Sequence, residues 1–153
     1  MDKIYPDLVV EVGRRLNEPN LKWYLIGSTG LVLRDMDIGR NPKDIDILIQ
    51  LSDLGDVKNL FKDYRPFCEE RELGEGQGEQ IRLRIEGRQI HVCAESQNGV
   101  YFKILGDKII NERIIYKGFT IPVFPLELEE KCYEEMGRPE RVKLIKDFRF
   151  LTF

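Results

Sequence analysis

Two short stretches of this chain carry residue types whose spacing could do chemistry, Ile26-Gly27-Ser28 and Lys43-Asp44-Ile45-Asp46-Ile47. Asp44 and Asp46 stand one residue apart in an apolar run that reads as a strand. Successive strand side chains point to opposite faces, so the two carboxylates project together while Ile45 and Ile47 turn toward a core. Carboxylates this close repel one another. A divalent cation removes that repulsion, and Mg2+ (or Mn2+) would take these hard oxygen ligands while keeping substrate phosphates in its shell. Such ions stabilise the attacking and leaving oxygens of an in-line displacement. Asp44 and Asp46 are therefore candidate catalytic and metal-binding residues, with a solvated strand end as the bland alternative. A second such pair, Asp35-Met36-Asp37, sits beside Arg34 and Gly39 and reads as a solvated helix boundary.

Gly27-Ser28 follows an apolar run and precedes a helical pattern. A helix N-terminus offers unsatisfied N–H groups and partial positive charge, which suits phosphate. Gly27 permits a tight turn and close approach of a ligand to the backbone. Ser28 could cap the helix or donate its hydroxyl to a phosphate oxygen. A plain helix cap explains the same two residues; the order strand, Gly-Ser, helix, turn, strand with Asp-x-Asp adds the functional weight. Gly27-Ser28-Thr29-Gly30 is not GxGxxG, which disfavours a dinucleotide fold. The Gly74–Gly78 loop lacks a following Lys-Ser/Thr, so it is no Walker loop.

Several elements must position these residues. Ile4, Leu8, Val12 and Leu16 recur every four residues, the mark of an amphipathic helix. Trp23–Ile26 reads as a strand, Thr29 to about Met36 as a helix, and Asp44–Leu51 as a second strand. A helix with Val57, Leu60 and Phe61 as its stripe follows. Next come a strand over Pro66–Leu73, the glycine-rich loop, and a hairpin pairing Ile81, Leu83 and Ile85 with Gln89–Ala94. Ile109–Lys117 and Phe119–Phe124 predict a second hairpin around Gly118. Helices over Leu126–Met136 and Arg141–Leu151 close the chain. Strands and helices mix without strict βαβ alternation, so the expected fold is α+β, a mixed sheet with helices packed on it and a C-terminal helical pair.

The chain has 153 residues, 42% hydrophobic and 33% charged, which suits one domain over 1–153 with a real core. No apolar run approaches the roughly 20 residues that span a bilayer, and the N-terminus lacks a signal pattern, so the expected location is cytoplasmic, away from membranes. Cys68, Cys93 and Cys132 are odd in number and form no CxxC, which speaks against a zinc knuckle or disulfide framework. A net charge of −3 argues against a general nucleic-acid coat and leaves room for a local basic patch.

The pattern resembles the nucleotidyltransferase superfamily, the fold shared with DNA polymerase beta. Ile26-Gly27-Ser28 and Asp44-Ile45-Asp46 fill the places of that family's Gly-Ser turn and Asp-x-Asp strand. The longer run, through Arg40-Asn41-Pro42-Lys43-Asp44, is similar to the small bacterial and archaeal branch that includes abortive-infection toxins and minimal antibiotic transferases. Arg40 stands where that branch often places an Arg. Lys131 matches a helix that carries a Lys, and Arg138, Arg141 and Lys143 match the basic helix after it. The resemblance implies transfer of an NMP from an NTP to a hydroxyl acceptor with Mg2+, Gly27 and Ser28 meeting phosphates, and Arg40, Lys131, Arg141 and Lys143 neutralising their charge.

One departure bears on activity. Active members add a third carboxylate from a later strand, and here His91 stands in its place within Arg88–Glu95. His91 is open to three readings, as a metal ligand, a base or a structural histidine. Glu95, two alternations along the same face, could substitute. Three functions follow as expectations: the enzyme, a catalytically degraded nucleotide-binding or regulatory module, and one half of a toxin–antitoxin pair with a protein partner. The acceptor stays open, and RNA is among its classes because the last helix is basic.

Overall fold

The four-residue apolar spacing near the start closes into α1 (Ile4–Asn17), whose Leu8, Val12 and Leu16 are buried. This computed structural model describes residues 4–73 and 76–152. The chain continues through β1 (Trp23–Ile26), α2 (Gly27–Leu33), β2 (Asp44–Gln50), α3 (Leu54–Leu60), β3 (Phe67–Leu73), β4 (Gly76–Ile85) and β5 (Arg88–Glu95). It ends with α4 (Val100–Leu105), β6 (Arg113–Tyr116), β7 (Phe119–Pro122), α5 (Leu126–Glu135) and α6 (Pro139–Thr152).

Five strands form one mixed sheet in the order β1-β2-β5-β4-β3, and β6 pairs with β7 in a separate hairpin. β2 runs antiparallel to β1 and parallel to β5, so both of its edges are hydrogen-bonded. Its alternation sorts residues between two layers. Ile45, Ile47 and Ile49 join Ile90, Val92 and Ala94 beneath α1 and α3. Leu48 turns to the opposite face, where Tyr101, Phe102, Phe124, Leu128 and Cys132 cover it. Asp44 and Asp46 lie on that second face, nearer the start of β2, where the cover is incomplete and both are half-buried.

The α+β mixed sheet matches the sequence expectation; some boundaries differ. α2 stops at Leu33, because Asp35 takes a left-handed φ of 68° and the Met36 N–H reaches back to the Leu31 carbonyl at 3.1 Å. That closure satisfies carbonyls that would otherwise be orphaned. Asp35 and Asp37 are exposed, as a solvated boundary should be. Of the expected Gly74–Gly78 loop, Gly76–Gly78 lie within β4, paired with β3, while Gly74 and Glu75 lie outside the described residues. α4 has no counterpart in the sequence reading. Among the described residues, no helix is long and apolar enough to cross a membrane.

Candidate active site

Strand register assembles the site. Asp46 lies opposite Ile26 on one neighbouring strand and opposite His91 on the other. Gly27, the next residue after Ile26, therefore arrives beside Asp46. It holds φ at +74°, and a Cβ built there would lie 2.6 Å from Asp46 Oδ2. Backbone and space both demand glycine at this position. The Asp44 end is tied to α2 by the buried Thr29, whose hydroxyl donates to the Asp44 carbonyl at 2.8 Å. Burial first, and the Asp46 charge second, push the Asp44 carboxyl above its ordinary range, with His91, Arg82 and Arg84 opposing. The two expected metal ligands thus share a face and feel one another.

His91 Nδ1 sits 3.1 Å from Asp46 Oδ1, and its Nε2 sits 2.8 Å from Gln80 Oε1. Arg82 Nη2 donates to the same Gln80 oxygen at 3.2 Å, and Cys93 Sγ stands 3.9 Å from Nε2. Glu95 departs from the expectation. It pairs in register with Gln50, not Asp46, four residues and about 13 Å along β5 from His91. It is 1% exposed and accepts the Tyr101 N–H at 3.0 Å, serving the start of α4. Burial raises its carboxyl to about 7 despite N–H groups of Tyr101 and Phe102.

The N-cap position of α2 is Ile26, so Ser28 lies inside the helix, where its Oγ accepts from Arg141 Nη2 at 3.1 Å. Arg141 is buried, and burial first lowers its pKa, with the Arg138 and Arg40 charges adding to the effect. Its guanidinium thus meets a hydroxyl here, within electrostatic range of two further cations. Arg40 itself is exposed and donates to the Asn41 carbonyl at 3.0 Å. Lys143 is exposed and pairs with Asp147 at 2.7 Å along α6. Lys131 is exposed on α5, two residues and about 200° around from Glu129, the side chain of that helix that turns to Gly27. The structure brings Gly27, Ser28, Asp44, Asp46, His91 and Arg141 together, with Arg40 nearby, and leaves Lys131 and Lys143 on outer faces.

This architecture has solved counterparts. TM1012 of Thermotoga maritima, a nucleotidyltransferase candidate, superposes with a TM-score of 0.70 over 97% of this chain and 94% of its own, at 18% identity. The lincomycin-bound lincosamide antibiotic adenylyltransferase LnuA gives 0.59 over 95% and 97%, at 13% identity. The antibiotic-resistance factor ANT(2'')-Ia gives 0.53 over 97% and 93%, at 11% identity. This is the nucleotidyltransferase fold. No protein-family model matches the sequence, and no curated protein gives a significant match.

Within this nucleotidyltransferase fold, two residues that the sequence reading missed hold the Gly27 turn. Glu129, fully buried on α5, accepts the Gly27 N–H on Oε1 at 2.6 Å. Its Oε2 lies 3.7 Å from Arg34 Nη1, and Arg34 also donates to the Phe124 carbonyl at 2.7 Å and to Glu112 at 3.1 Å. Burial lifts the Glu129 carboxyl to about 7, against the pull of Arg34 and the Gly27 N–H. In sequence Glu129 is one acid within Glu127-Leu128-Glu129-Glu130, which reads as a solvated helix face; its aim at a turn 102 residues away exists only in three dimensions. Among the described residues, no group of three or more His, Cys, Asp or Glu side chains is gathered to hold a metal ion unaided.

Proposed function

We propose that this chain is a metal-dependent nucleotidyltransferase. An acceptor hydroxyl oxygen attacks the α-phosphorus of an NTP, the bond from that phosphorus to the β-phosphate bridge breaks, and pyrophosphate leaves. One observation carries the reading: two carboxylates share a face beside Gly27-Ser28, and a buried arginine meets Ser28 there. A carboxylate pair and an arginine without a carboxylate partner in this contact complement a cation and a polyphosphate.

Asp44 and Asp46 would hold Mg2+ or Mn2+, which when bound neutralises charge on the phosphate oxygens. The fit is electrostatic, since burial and the neighbouring Asp46 already disfavour the Asp44 charge. Among the described residues too few ligands are gathered for a closed cage, and Mg2+ commonly completes its shell with substrate phosphates and water. Arg141, with Arg40 nearby, offsets phosphate charge; Ser28 can donate its hydroxyl; Gly27 lets the phosphates approach. The first acceptors to assay are small hydroxylated molecules, because LnuA is an antibiotic adenylyltransferase, followed by RNA.

The second reading is a nucleotide-binding or regulatory module without turnover, alone or with a protein partner. His91 at the place expected for a third carboxylate favours it. Each NTP is incubated with Mg2+ or Mn2+ and an acceptor panel, with pyrophosphate release and calorimetric binding measured together. Release that vanishes in Asp44→Asn/Asp46→Asn supports the enzyme. Binding without release supports the module. Neither signal with any NTP removes both readings.

A further inference from the structure

We propose that Asp46 Oδ1 and His91 Nδ1 together ligate one divalent ion, that Gln80 and Arg82 hold His91 in the tautomer this requires, and that the mixed oxygen–nitrogen pair favours Mn2+ over Mg2+. This rests on the metal-dependent reading above, in which Asp46 is already a ligand, and adds His91 Nδ1 and the identity of the ion.

A guanidinium has only donors, so the Gln80 atom 3.2 Å from Arg82 Nη2 is the amide oxygen. That same oxygen lies 2.8 Å from His91 Nε2, so Nε2 must carry the hydrogen. In the neutral ring the remaining nitrogen, Nδ1, then presents a lone pair. It presents that lone pair to a carboxylate oxygen 3.1 Å away. Two acceptors facing each other at this separation need something positive between or beside them.

One candidate is a proton on Nδ1, which makes the pair a salt bridge. The other is a metal ion shared by both atoms. Ligands at about 2.1 Å from a small octahedral ion, at right angles, lie about 3.0 Å apart, which is close to the observed spacing. Metal-bound histidines usually donate their other ring N–H to a carbonyl or carboxylate that fixes the tautomer. Gln80, 3% exposed and braced by Arg82, is such a partner. The pair is reachable, since the side chains of His91 and Asp46 are 15% and 24% exposed. Only two protein ligands are needed, with phosphate oxygens and water completing the shell. Imidazole is a poor ligand for Mg2+ and a better one for first-row transition ions.

His91 is the only histidine in the chain, so any imidazole signal from tag-free protein belongs to it. Pulsed EPR of bound Mn2+ should show coupling to one 14N nucleus, lost in His91→Asn. Arg82→Met, a change at an exposed position that frees the Gln80 amide to rotate, should weaken Mn2+ binding roughly 10-fold or more and leave Mg2+ within about 3-fold. Mn2+ that binds and is lost in Asp46→Asn, yet shows no nitrogen coupling in the wild type, assigns a proton to Nδ1 and overturns the proposal while leaving the metal-dependent reading intact. Mn2+ binding that is absent, or indifferent to Asp46→Asn, overturns both. Equal weakening of Mg2+ and Mn2+ by Arg82→Met overturns the claimed preference.

Discussion

Replacing Gly27 with alanine should cost more than backbone strain alone, and the excess should depend on Asp46. Gly27 and Gly39 both hold a left-handed φ, +74° and +80°. A Cβ at Gly39 meets nothing within 4 Å, whereas one at Gly27 comes within 2.6 Å of Asp46 Oδ2 and 3.3 Å of its Cγ. Gly39→Ala therefore isolates the left-handed penalty, about 1 to 2 kcal/mol. Gly27→Ala adds an overpacking cost of about 1 to 3 kcal/mol, for a total of about 2 to 5. Urea unfolding of both variants, alone and with Asp46→Ala, measures the difference. Asp46→Ala should remove most of the excess cost of Gly27→Ala, because the carboxylate contacts are gone and only the 3.3 Å approach to the residue 46 Cβ remains. In an otherwise wild-type chain, Gly27→Ala should also weaken metal binding, since Asp46 must move. Equal costs for the two glycine variants, or a Gly27→Ala cost unchanged by Asp46→Ala, would refute the close approach of the turn to the carboxylate.

The remaining expectations concern the supports of the site. Glu95 is protonated more readily in the fold than out of it, so between about pH 4.5 and 7 the native state binds the extra proton and stability falls as pH rises. The loss is about 3 kcal/mol by pH 8, and Glu95→Gln, which keeps an acceptor for Tyr101, should flatten the slope in pH-dependent urea titrations; Glu129 contributes in the same direction, so part of it survives. Thr29→Val should cost about 1 kcal/mol in unfolding experiments, because it strands the Asp44 carbonyl that the hydroxyl serves. Arg34→Met should cost about 3 kcal/mol or more by leaving Glu129 buried without its cation. Glu129→Gln in the same chain should recover part of that loss, and no recovery would mean the ion pair is not the source of the cost.

What was legible in the sequence was what neighbouring residues decide. The alternation of Ile45, Ile47 and Ile49 against Asp44 and Asp46 needs only the period of a strand, and the glycine-serine turn needs only its flanking strand and helix. Long-range aim was hidden. Glu95 shares a face with His91, as alternation implies, but its distance from Asp46 follows from the β2–β5 register. α4 is one short element, Val100–Leu105, whose aromatic opening gives no helical period to read. Gln80 was one polar residue in an alternating strand until β4 paired with β5 and set it beside His91. Lys143 resembled a phosphate ligand because a basic helix face and a solvated i,i+4 pair look alike in sequence, and here it pairs with Asp147.

The Arg141–Ser28 bond spans 113 residues and the Glu129–Gly27 bond spans 102. Contacts of that sequence separation need the long intervening chain to close, at an entropy cost, before they can form. During synthesis the carboxylates leave the ribosome long before the arginine that faces their turn. A nascent copy therefore carries Asp44 and Asp46 without the Arg141 contact or the buried Glu129 clasp. Truncation before α5 removes both contacts and truncation between α5 and α6 removes Arg141 alone, so α6 decides when a newly made copy acquires the arginine of its site.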